Sequence, residues 1–168
     1  MTRREILTTA FLFVLYILLQ ILLVRNLVLF DYGFCFIYVA AVLLLPYEIS
    51  LTQLLLIGFT TGIVVDTFYN TLGIHAAATV LMAYLRPLII RIQMAPGVQE
   101  SRISFSLQAL GIGAFVRYVF VLVLIHHTAL FLVEAGSLSL LLPTLARVGA
   151  SAVFTTVSIV LINFFTRN

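Results

Sequence analysis

Gly58-Phe59-Thr60-Thr61-Gly62-Ile63-Val64-Val65-Asp66 closes an apolar run that begins at Ile49. Positions 58, 62 and 66 are four apart, so two glycines and a carboxylate share one helical face. Lipid provides no hydrophobic drive between helices, and a glycine face is where a neighbouring backbone comes close. Asp66 continues that face at the end of the run, which directs it toward protein rather than lipid. Small residues four apart are common in membrane helices. The spacing alone therefore argues for a packing seam that ends in an interfacial carboxylate.

The same apolar character extends to both sides of this segment. The runs are Ile6–Val24, Phe34–Leu45, Ile49–Val65, Ile74–Ile92, Ile103–Val133, and a last helix from Pro143 to Phe165. At 1.5 Å per residue the first reaches about 28 Å, enough to cross the hydrocarbon core. Phe34–Leu45 is short and ends at Pro46. With its approach from Leu27 it is long enough to span, the alternative being a tilted or locally broken helix. Ile103–Val133 exceeds one straight span, so a bend or a projecting end is expected. Pro143 suits a first helical turn. The expectation is an all-α polytopic bundle of six transmembrane helices forming one domain over residues 1–168.

Composition points the same way. The chain has 168 residues, of which 63% are hydrophobic and 9% charged, and its mean hydropathy is +1.22. Soluble domains carry about a quarter charged residues, and a chain this short could not bury so much apolar surface in water. The first run is too long for a signal-peptide core, so no cleavable leader is expected. The formal net charge is +3 and every basic residue is Arg. In a membrane chain that excess reports orientation, not nucleic-acid binding. Arg3 and Arg4 precede the first run, Arg86, Arg91 and Arg102 flank the Gln93–Arg102 loop, and Arg167 follows the last. With six spans these share one side, which places both termini in the cytoplasm.

Few polar residues interrupt the runs. Arg117 follows Ser106, Ala109, Leu110 and Gly113 at helical spacing and is expected to face the bundle as a buried or snorkelling charge. His126, His127 and Glu134 invite a metal reading. No third ligand is fixed by spacing, so they are read as interfacial polar residues, with no metal. Arg147 is placed near the same boundary as Asp66. Arg86 and Arg91 are expected to snorkel. One cysteine, Cys35, excludes an internal disulfide. The chain carries no Gly-rich phosphate loop and no serine with a matching His and Asp. It is therefore expected to be no enzyme and to need no cofactor. For Asp66 the expected partners are the backbone N–H groups of Tyr69 or Asn70 and a cation from Arg147 or Arg117.

After Asp66 come Thr67-Phe68-Tyr69-Asn70-Thr71-Leu72-Gly73-Ile74-His75-Ala76. A glycine pair, an aspartate, a short polar connector, then Leu72-Gly73 and a new helix resemble the MreD family of rod-shape-determining membrane proteins. The short second span ending in Pro46 and the arginine-bearing loop after the fourth span are similar too. Arg117 stands where some members carry an acidic residue. The resemblance implies a non-enzymatic scaffold in the bacterial cytoplasmic membrane that binds an MreC-like bitopic partner. It also implies contact with a SEDS glycosyltransferase, a penicillin-binding protein and MreB, a role in cell shape and peptidoglycan synthesis, and a fold similar to the S component of energy-coupling-factor transporters. Gly58, Gly62, Asp66, Leu72 and Gly73 are then the helix-packing or partner-binding residues.

That fold likeness raises a second reading, a substrate-binding S component of a vitamin transporter. Such subunits resemble one another in alanines spaced four apart on the first helix. Here Ile6–Val14 holds only Ala10, and the chain has no tryptophan for a ligand pocket. A lipid-handling or proton-coupled enzyme ranks last.

Overall fold

The computed structural model describes residues 3–94 and 105–166. The chain runs through α1 (Arg3–Leu22), an antiparallel ribbon of β1 (Val28–Leu29) and β2 (Gly33–Phe34), and a five-residue helix α2 (Val39–Leu43). Then follow α3 (Leu51–Tyr69), α4 (Ile74–Gln93), a single turn α5 (Leu107–Leu110), α6 (Ile112–Ala135) and α7 (Leu141–Thr166). Helices α3, α4, α6 and α7 have 19, 20, 24 and 26 residues and are long and apolar enough to cross a bilayer. α1 carries a shorter apolar stretch, Ile6–Leu22. The protein is a mostly helical, multi-pass membrane protein.

Local chemistry sets the helix ends. Ser50 accepts from the Gln53 backbone N–H while the Gln53 side chain accepts from the Ser50 N–H, a capping box that starts α3. Asn70, at φ 57°, closes α3 in the left-handed region, and Gly73, at φ 85°, opens α4. The connector thus reverses direction within four residues. α3 packs on α4, α4 on α6, and α6 on α7.

The second expected span departs from its sequence reading. Only Val39–Leu43 is helical, and the chain enters as a β-ribbon. Cys35–Leu45 is nevertheless buried throughout. Non-helical backbone survives at membrane depth only where protein satisfies its polar groups, and neighbouring side chains do so here. Ser151 and Thr155 of α7 accept from the backbone N–H groups of Phe34 and Phe36 at 2.9 and 3.0 Å. Gln20 of α1 acts as a partner strand would: its amide donates to the Cys35 carbonyl at 3.0 Å and accepts from the Tyr38 N–H at 3.3 Å. At the far end, Tyr118 donates to the Leu43 carbonyl at 2.7 Å and Arg86 donates to the Leu45 carbonyl.

The fifth run is also divided. Gly111, at φ 74°, separates α5 from α6. The spacing from Ser106 to Arg117 therefore does not run along one helix, and Arg117 is exposed rather than turned into the bundle. Arg102, Arg167 and most of the Gln93–Arg102 loop lie outside the described residues.

Candidate functional site

α3 and α4 form an antiparallel hairpin that is tightly packed at Gly62. A Cβ on Gly62 would lie 2.3 Å from the Ala76 Cα and 2.7 Å from its nitrogen. The two backbones touch there, and no side chain fits. At Gly58 a Cβ would meet the Ala83 Cβ at 3.3 Å and the Thr79 carbonyl oxygen at 3.5 Å. The glycine face read from the sequence thus packs on the next helix of the same chain.

Asp66 stands one turn beyond Gly62 and is 4% exposed. Its Oδ1 accepts from the His75 backbone N–H and its Oδ2 from the Ala76 N–H, both at 3.0 Å. These are orphan donors of the first turn of α4, where Gly73 offers no side chain to cap them. A carboxylate from α3 therefore caps α4 and meets the positive end of its dipole. Thr71 donates to Oδ1 at 2.5 Å, and Nδ1 of His75 lies 3.1 Å from the same oxygen. The expected partners of Asp66 are corrected: they come from Thr71, His75 and Ala76, because the cramped Gly62–Ala76 crossing delivers the start of α4 directly to the carboxylate. Arg147 is exposed with its guanidinium over the Phe34 ring at 5.7 Å, and Arg117 is exposed elsewhere.

Inward of this lock the bundle holds a polar cluster. The Tyr38 hydroxyl lies 2.7 Å from Nε2 of His126 and 3.1 Å from Oγ1 of Thr79. His127 bonds the Val123 carbonyl through Nδ1 at 2.8 Å and Thr155 through Nε2 at 3.2 Å. Both histidines are fully buried, against their expected interfacial place. Adjacent residues do diverge on a helix, but here one ring turns to Tyr38 and the other to α7. Arg86 is buried as well instead of snorkelling: Nε donates to the Tyr118 hydroxyl at 2.7 Å, and the guanidinium lies 4.9 Å from the Phe105 ring centre. Among the described residues no three His, Cys, Asp or Glu side chains converge as metal ligands.

The remaining sequence-selected residues lie apart. Glu134 is exposed near the end of α6, and Leu72 projects wholly clear of the bundle at the connector tip. The sequence reading passed over Gln20, Tyr38, Thr71, His75, Thr79 and Arg86 as site members. Part of their signal was present: positions 75, 79 and 86 fall on one face of α4 at helical spacing. Ser151 and Thr155 do the same on α7. A separate apolar crevice of about 450 Å³ lies between α1 and the start of α3, lined by Ile6, Ala10, Phe13, Pro46, Ile49 and Ile57 among others.

No family model, no curated protein and no solved structure matches this chain.

Proposed function

We propose that this chain is a non-enzymatic membrane scaffold of the bacterial wall-elongation machinery, docking an MreC-like bitopic protein. The observation that carries this reading is the construction of the α3–α4 hairpin. Gly58, Gly62, Asp66 and Gly73, the residues behind the likeness to the MreD family, form one rigid unit. That unit holds Leu72 out at its tip, 101% exposed. A locked connector presenting one apolar side chain suits contact with a partner rather than chemistry on a substrate. In this reading the protein crosses the cytoplasmic membrane six times, α1 and the Leu27–Leu45 segment included, with both termini inside. The SEDS glycosyltransferase, its penicillin-binding partner and MreB join through the scaffold.

Copurification tests it. The tagged protein, expressed in a rod-shaped bacterium, should bring down a bitopic partner. Leu72→Asp should weaken that capture while leaving thermal stability unchanged, since Leu72 touches nothing in the bundle. A normal capture by Leu72→Asp would remove the connector from the interface. The S-component reading is favoured by one observation, the buried histidine–tyrosine cluster, and would bring down ATPase subunits instead.

A further inference from the structure

Two imidazole nitrogens inside the bundle have no hydrogen-bond partner among the described residues: Nε2 of His75 and Nδ1 of His126. His75 is 3% exposed and His126 is fully buried. Their chemical state follows from the bonds around them.

Nδ1 of His75 faces Asp66 Oδ1 at 3.1 Å and Thr71 Oγ1 at 3.0 Å. A carboxylate only accepts, and Thr71 gives its single proton to Asp66 at 2.5 Å. Nδ1 must therefore carry the proton, and in the neutral ring Nε2 is a bare lone pair. Thr79 gives its proton to the His75 carbonyl at 2.7 Å, the usual bond of a helical threonine. Tyr38 must then donate to Thr79, and its oxygen accepts from Nε2 of His126. His126 carries its proton on Nε2, and its Nδ1 is a bare lone pair too. Both orphans are acceptors. His127 differs, because its two nitrogens have the Val123 carbonyl and the Thr155 hydroxyl.

The two rings share neighbours. Tyr38 lies 6.0 Å from His75 and 5.6 Å from His126 between ring centres, and Phe36 lies 5.3 and 6.3 Å from them. A buried acceptor without a donor is costly, and a buried water commonly fills that need. We propose that His75 Nε2 and His126 Nδ1 form an internal binding site for a small hydrogen-bond donor. Its occupant is water or an ammonium ion, since each offers several N–H or O–H groups. The rings of Phe36, Tyr38 and Tyr69, the last 5.0 Å from His75, pack around the two imidazoles. Asp66 helps to define the site by fixing the protonated nitrogen of His75.

Solid-state NMR of the wild-type protein in lipid bilayers, labelled with ¹⁵N-histidine, tests this. The resonances are assigned through bonded connectivities, so no variant has to fold. The expected result is protonated Nδ1 with bare Nε2 for His75, and the reverse for His126. Magnetisation from water should reach both bare nitrogens in ammonium-free buffer if water is the occupant. It should appear only after adding ammonium chloride if ammonium is. His127 Nε2 is the internal control and should receive none. Opposite tautomers would overturn the proposal, as would bare nitrogens that neither water nor ammonium reaches.

Discussion

Replacing Asp66 by Ala removes the cap of α4 without touching the backbone crossing at Gly62. Two buried backbone donors, the N–H groups of His75 and Ala76, lose their acceptors, and so do the Thr71 hydroxyl and the His75 Nδ1–H, the latter with Thr71 Oγ1 still at 3.0 Å to accept it. Each buried donor left unpaired costs about 1–3 kcal/mol. Thr71 is half-buried and regains water, so the two backbone groups set the scale at roughly 2–6 kcal/mol. For a chain of this size a kilocalorie shifts the midpoint by about 2–4 °C, giving an expected loss on the order of 5–20 °C. Asp66→Asn keeps one carbonyl oxygen for one of the two N–H groups and turns an NH₂ toward the other, so its loss should fall between. The assay is the monodisperse fraction remaining after heating in detergent, read for wild type, Asp66→Asn and Asp66→Ala. Three equal midpoints would show that the carboxylate is a solvated interfacial charge and that α4 needs no cap from α3.

Three further outcomes are expected. Gly62→Ala should destabilise by at least about 3 kcal/mol, since overpacking usually costs 1–3 and here meets backbone, whereas Gly58→Ala should stay within about 1 kcal/mol, part of it offset by unfolded-state entropy; equal midpoints in the same heating assay would deny the 2.3 Å crossing. Gln20→Leu should lower the midpoint because it unpairs the Cys35 carbonyl and the Tyr38 N–H, at roughly 1–3 kcal/mol for each group, and a wild-type midpoint would mean that the 34–38 backbone is satisfied otherwise. Membrane-impermeant thiol reagents added to intact cells should label Asn70→Cys and not Glu48→Cys, both sites being exposed and the native Cys35 buried; the reverse pattern would invert the orientation.

What could be read from the sequence follows from where single-chain patterns operate. Long apolar runs report helices, and α3, α4 and α7 begin and end within a few residues of their runs. The glycine face was visible because its partner lies on the adjoining helix and its signal is local. The 34–45 segment was not, because its stability rests on distant side chains. Apolar residues there are equally compatible with a buried helix and with a buried strand, and the deciding groups, Gln20, Ser151, Thr155, Tyr118 and Arg86, lie 15 to 121 residues away. Arg117 misled because helical spacing was carried across Gly111, whose positive φ breaks the register. His126 and His127 misled because polarity was read as a boundary signal, whereas an interior that includes irregular backbone attracts polar side chains.

That last point orders the polar residues of the bundle by what they do. Gln20, Ser151, Thr155, Tyr118 and Arg86 serve the backbone of one irregular segment, and each comes from a helix that must stay in register for the bond to form. The segment therefore ties α1, α4, α6 and α7 together, a function that apolar packing alone performs weakly between helices in lipid. Asp66, Thr71 and His75 tie α3 to α4 by a second, separate device. α1 joins the first network through Gln20, near its C-terminal end, while its N-terminal half borders the crevice beside Pro46. Among the described residues, two polar atoms of the histidine cluster remain outside these structural roles, Nε2 of His75 and Nδ1 of His126. They belong to residues already anchored by their other nitrogens, so each ring is held in place while one lone pair stays available. Substituting the anchors should then release the rings: Thr79→Val removes the acceptor of the Tyr38 hydroxyl, which frees Tyr38 to donate to His126 and reverses that ring's tautomer. The ¹⁵N spectrum of Thr79→Val should show His126 with Nδ1 protonated and Nε2 bare, with His75 unchanged. An unaltered His126 would mean that Tyr38 does not set its tautomer.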